Sequence, residues 1–148
     1  MGNESFKMRA NLINVYDAFA ESLREAFLIV ITSRNAGKTF LHSSKFKTLA
    51  DARLERFYDL LDVITASASE NVSQDKLESF SKTIKRYMFE DVQSMNRLMH
   101  VYELNVRARQ IQQGSSFTNA VIAERESVFK PNSQYRLETL GKLTNHLL

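Results

Sequence analysis

The feature that most constrains this chain is a stripe of apolar residues between Ser73 and Gly114. Leu77, Phe80, Ile84, Met88, Val92, Met95, Met99, Tyr102 and Val106 recur at spacings of three and four, which on an α-helix places them on one face. The stripe predicts one helix over about 73–113, and its apolar positions alone span about 40 to 45 Å. A single Pro and four Gly leave few of the breaks that a β-rich chain needs, since both residues are costly inside helices. The expectation is an all-α single domain over 1–148, a bundle of about five helices around the long central one. A compact chain of this length buries roughly two thirds of the surface its unfolded form exposes. It therefore needs no covalent staple.

The first helix is expected from near Ser5 to Ile31, with Leu12, Tyr16, Phe19, Leu23, Phe27 and Val30 as its stripe and Asp17, Glu21, Arg24 and Glu25 on or near the other side. Leu28 and Ile29 lie off that stripe, so the helix end is apolar nearly all round and calls for cover from other elements or a second subunit. Ser43 or Ser44 can cap a second helix through its hydroxyl, with Phe46, Ala50, Phe57, Leu61 and Ile64 facing inward and an end near Ala66. Beyond Gly114, a weaker fourth helix through Phe117, Ala120, Val121 and Val128 stops at Pro131. A last helix runs through Leu137, Leu140, Thr144 and Leu148, with Gly141 on its apolar side, where the missing side chain lets another helix come close.

The long helix is not uniform. Lys82, Arg86, Arg97 and Arg107 lie opposite its stripe and are interrupted by Asp75, Glu78, Glu90 and Glu103, the pattern of a solvated mixed-charge face. From Leu98 to Val106 apolar residues point in most directions, which suits a helix enclosed by partners. Asp91 falls close to the stripe and suggests a kink near Phe89 to Asp91.

The net charge of +3 is unevenly spread. Between Arg34 and Arg56 the basic residues Arg34, Lys38, Lys45, Lys47, Arg53 and Arg56 face only Asp51 and Glu55. A polyanion such as nucleic acid is expected to bind there if anywhere. The longest apolar run, Ala26 to Ile31, is far short of the about 20 residues a membrane span needs. Asp17, Glu21 and Glu25 break a secretory pattern, and Phe6 breaks the myristoylation pattern that Gly2 would begin. These features predict no membrane association and a cytoplasmic location.

Phe27-Leu28-Ile29-Val30-Ile31 followed by Thr32-Ser33-Arg34-Asn35-Ala36-Gly37-Lys38-Thr39 resembles a P-loop, in which backbone N–H groups cradle phosphates, the Lys reaches the terminal phosphates and the hydroxyl holds Mg²⁺. Gly37, Lys38 and Thr39 match its last three positions. Thr32 stands where the first Gly belongs, as in deviant P-loops, and the segment is similar to those of phage packaging ATPases. The resemblance implies nucleotide binding at 32–39. Against it, Phe27 and Val30 continue the stripe of the first helix in phase, and no alternation of strands and helices follows to build the parallel sheet a P-loop needs.

His42, His100 and His146 are far apart without helical i, i+4 pairing, and no metal site or cofactor is expected. The absence of Cys excludes disulfides, thiolate catalysis and Cys-ligated zinc. Asp59 and Asp62 lie near each other without a nucleophile or base motif, so they read as helix surface rather than catalytic acids. Met88, Met95 and Met99 suit a core, an adaptable binding surface, or a seam between subunits. The leading expectation is a non-enzymatic interaction or assembly protein of adaptor type, homo-oligomeric, binding a protein partner through Leu28, Ile29, Leu98, Val101, Leu104 and Ile111. The alternatives are a nucleic-acid-binding accessory or regulatory protein using the basic segment 34–56, and nucleotide binding at 32–39.

Overall fold

A computed structural model of the chain describes residues 2–32, 42–68, 72–109, 123 and 134–142, with side chains described at 7–32, 42–68, 72–104, 123 and 134–142. The described elements are α1 (Gly2–Thr32), α2 (His42–Ala66), α3 (Gln74–Arg109) and the helical residues 134–142, here α4. No strand occurs among the described residues. None of their helices is long and apolar enough to cross a membrane. The expected fourth helix around 115–130 and the turn at Gly114 lie outside the described residues apart from Ala123, which is helical.

The stripes read from the sequence become the core. On α3, Leu77, Phe80, Ile84, Met88, Val92, Met95, Met99 and Tyr102 are all buried, as are Leu12, Tyr16, Phe19, Leu23, Phe27 and Val30 on α1. From α2, Phe46, Ala50 and Leu61 join them, with Phe57 and Ile64 partly buried against the same cluster. Edge-to-face ring pairs lock α1 to α2 at two levels: Phe19 with Phe57 and Phe27 with Phe46, each at 5.6 Å between centroids. Met88, Met95 and Met99 are completely or almost completely buried inside the chain's own core. Their stripe is therefore interior packing rather than a seam on which a second copy lies.

Side-chain pairs fix the helix directions. The two ring pairs advance along α1 while retreating along α2, so these helices are antiparallel. Ser43 meets Glu103 and Asp62 meets Lys85, which makes α2 antiparallel to α3. Tyr16 meets Asp91 and Ile31 meets Tyr102, so α1 and α3 run parallel and end side by side. Leu140 of α4 is buried in the same core, and Arg136 reaches α3.

Several boundaries differ from the sequence reading for physical reasons. The helix α2 begins at His42, before either serine, because its cap comes from another helix: Glu103 accepts the Ser43 N–H at 2.9 Å and also the Ser43 hydroxyl. Glu103, read from the wheel as solvated, is accordingly buried. At the position where a kink is expected, near Phe89 to Asp91, the helix is uninterrupted, Gln74–Arg109 being one α-helix. Asp91 is accommodated on the inward side by partners on other helices. Gly141 is exposed and a Cβ there would meet nothing within 4 Å, so no close helix approach depends on it among the described residues.

Candidate interaction surface

The strongest polar feature in the described core starts from that carboxylate. Asp91 lies on the inward side of α3, where only 4% of its surface is exposed. Its Oδ2 accepts the Tyr16 hydroxyl at 2.6 Å, and its Oδ1 lies 3.1 Å from Arg136 Nη1. Arg136 is held further by donation to the Tyr87 carbonyl at 2.6 Å and to Glu90 Oε2 at 2.9 Å. Its guanidinium also lies 4.6 Å from the Tyr87 ring centroid, and the Tyr87 ring packs edge-on against Tyr16. One cation thus meets two carboxylates, a carbonyl and an aromatic face, a combination suited to the planar, multi-donor guanidinium.

Burial pushes the Asp91 carboxyl above the ordinary carboxylate value, and the nearby Glu90 charge acts in the same direction. The Tyr16 hydrogen bond and the charges of Arg136 and Arg24 oppose both. The Tyr16 hydroxyl is raised strongly, first by burial and then by the Asp91 charge it faces. Both effects follow from taking charged forms out of water. The centre reads as a clamp that joins α1, α3 and α4. Arg136 carried no periodic or motif signal in the sequence. The placement of Asp91 beside the apolar stripe was the one available clue.

The apolar residues singled out from the sequence fall in distinct places. Leu28 and Leu98 are partly buried against the core, whereas Ile29, Val101 and Leu104 are 55%, 52% and 48% exposed. Ile29 follows Ser22 by two helical turns, and Ser22 accepts a hydrogen bond from Arg53 of α2, so Ile29 lies on the α2 edge of α1. Leu98 follows Asp91 by two turns, placing it on the line of α3 that faces α1 and α4. Leu104 follows Arg97 by the same interval, and Arg97 is exposed. Ile111 lies outside the described residues. The ends of α1 and α3 that carry this group nevertheless meet, as the Tyr102 hydroxyl donates to the Ile31 carbonyl at 3.4 Å.

The basic segment does not form one ridge. Lys47 pairs with Asp51 at 2.9 Å, and Arg53 is turned inward to Ser22 and to the Leu49 carbonyl. Arg56 lies 6.0 Å from the Phe57 ring, and Lys45 is exposed. Lys45 and Arg56 share a line along α2, while Lys47 projects from nearly the opposite side. Arg34 and Lys38 lie outside the described residues. Of the P-loop-like stretch 32–39 only Thr32 is described. It closes α1 with its hydroxyl donating to the Leu28 carbonyl at 2.7 Å, and Phe27 to Ile31 before it are helical rather than strand.

Near the open end of α2, a groove of about 280 Å³ runs between Asp62 and Thr65 and the α3 residues Gln74, Glu78, Lys82 and Lys85. Lys85 Nζ lies 2.6 Å from Asp62, and the two acids in the groove balance its two lysines. His42 is buried with its ring edge-on to Tyr102 at 5.1 Å, while His100 is exposed and His146 is outside the described residues. Among the described residues no group of three or more potential ligands is arranged to hold a metal ion. No protein-family model matches the chain, and neither a curated protein nor a solved structure matches it.

Proposed function

We propose that this chain is a helical interaction protein that self-associates and binds a protein partner through the apolar end formed by α1 and α3. The supporting observation is the parallel course of these two helices. It puts Ile29 at the same end of the bundle as Val101 and Leu104, more than 70 residues away in sequence and on different faces, and all three are about half exposed. A partner that covers this end takes their apolar surface out of water, which drives association. None of the three belongs to the buried core among the described residues.

The test is solution mass by light scattering on the full chain and on a variant carrying Val101→Glu and Leu104→Glu. A wild-type mass at a multiple of 17.1 kDa that falls in the variant, with helicity unchanged, is the expected result. A wild type that stays at 17.1 kDa at all concentrations overturns self-association through this end.

A further inference from the structure

The Arg136 clamp has the construction of a receptor and a ligand. The receptor half belongs entirely to α1 and α3: Tyr16, Tyr87, Glu90 and Asp91. The three-helix core holds it in place, since Tyr16 and Asp91 are buried and bonded to each other. The ligand half is α4, whose described residues enter through one short motif. Arg136 fills the cradle, Leu137 packs partly against the core and Leu140 is fully buried, while Gln134, Tyr135, Glu138, Gly141 and Lys142 are exposed. Leu140 is the sole α4 contribution to the fully buried core among the described residues. Withdrawal of α4 therefore opens the cradle and leaves the packing of α1, α2 and α3 nearly whole.

We infer that this cradle is a docking site for an Arg-Leu-x-x-Leu helical segment, and that residues 134–142 of a second copy occupy it in place of the chain's own. An identical segment makes identical contacts, so exchange between copies sacrifices no interaction that the closed monomer has. Residues 110–133 join α3 to α4, and such a length of chain reaches at most about 80 Å. That bound allows a neighbouring molecule's cradle to be reached. Specificity comes from the guanidinium: its fork engages Glu90, Asp91 and the Tyr87 carbonyl at once, and a lysine ammonium lacks that planar set of donors. The site is separate from the apolar end, and its readouts do not involve Val101 or Leu104.

The experiment uses the full chain with Arg136→Ala, which vacates the cradle, and a fluorescent peptide of residues 132–143 read by anisotropy. Saturable binding to R136A is expected. It should be about tenfold weaker both to the wild type, whose cradle is filled, and for a peptide with alanine at the arginine position, given the strength of hydrogen bonds to charged groups. Absence of saturable binding to a folded R136A, or equal binding of both peptides, overturns the docking site. Should R136A fail to fold, hydrogen exchange on the wild type decides. Exchange of amides 138–142 while amides of 84–95 stay protected supports separable docking, and exchange of both through one opening overturns it. Serial dilution followed by light scattering should show R136A losing mass at a concentration about tenfold higher than wild type does, because only wild type has the full exchanged contact. Coincident dilution curves overturn a second copy as the occupant.

Discussion

Ser43 and Glu103, 60 residues apart, close the first turn of α2 together: the Glu103 carboxylate accepts the Ser43 N–H at 2.9 Å and the Ser43 hydroxyl as well. An acid at a helix N-terminus satisfies an orphan donor and complements the positive end of the helix. Glu103→Ala is expected to lower stability by about 1 to 3 kcal/mol, because it strands a part-buried N–H. Urea denaturation should show the loss as a lower midpoint with an unchanged slope. Glu103→Gln, which keeps an acceptor oxygen, should lose less.

Tyr16→Phe removes the hydroxyl that serves Asp91 and should cost about 1 to 3 kcal/mol at neutral pH. It should also change the alkaline limb of the stability profile. The folded chain holds the Tyr16 proton more tightly than the unfolded chain, whose tyrosine titrates near 10.0. The folded state thus binds more protons above that value, and stability falls as pH rises past it. Denaturation at pH values on both sides should show a shallower fall in Y16F.

For Asp91 the same linkage operates in acid. Burial raises its carboxyl above the ordinary 3.8, so its favourable contribution is complete below that value and is lost as pH rises through the folded-state pKa. The stability of wild type relative to Asp91→Asn should decline across that window. Asp91→Ala is expected to be the more damaging change, by about 3 kcal/mol, since it leaves the largely buried Arg136 without its innermost carboxylate. Acid denaturation of the three chains side by side checks both statements.

Two residues near the end of α1 should respond in opposite ways. Phe27 is fully buried against Phe46, and Phe27→Ala should cost about 3 to 5 kcal/mol. Ile29 is 55% exposed, and Ile29→Ser should alter stability by no more than about 0.5 kcal/mol. Thermal denaturation separates them.

A similar contrast divides the basic residues of α2. Lys47 and Asp51 form an exposed pair, so Lys47→Ala should change stability by less than about 1 kcal/mol. Arg53 is half-buried and donates to both Ser22 and the Leu49 carbonyl. Arg53→Ala should be the more destabilising, through lost packing of its stem and lost tethering of α1 to α2. Chemical denaturation of both variants provides the comparison.

The core was legible because period and burial coincide: a residue at every third or fourth position has only one face to occupy, and α1 and α3 buried the residues that this rule selects. Long-range polar partnerships were not legible. Glu103 shares its line on the wheel with charged neighbours, and nothing local reveals that Ser43 will lie beside it. Asp91 broke the apolar stripe and suggested a kink, because the alternative, a tyrosine 75 residues earlier and an arginine well beyond the helix, requires the tertiary arrangement. The apolar ends of α1 and α3 were recognised separately. Their meeting depended on helix direction, which periodicity does not encode.

The parallel course of α1 and α3 has an electrostatic consequence. Among these three helices the reversed α2 offsets the macrodipole of one parallel helix and not that of the other. The end where Thr32 and Arg109 lie carries the excess of carbonyl-bearing termini, and the opposite end, at Gly2 and Gln74, carries the excess of N–H-bearing ones. Two copies approaching by the same ends face like partial charges, whereas side-by-side antiparallel copies present opposite ones. Among α1, α2 and α3 the dipoles do not cancel, so this trio has a polarity of its own.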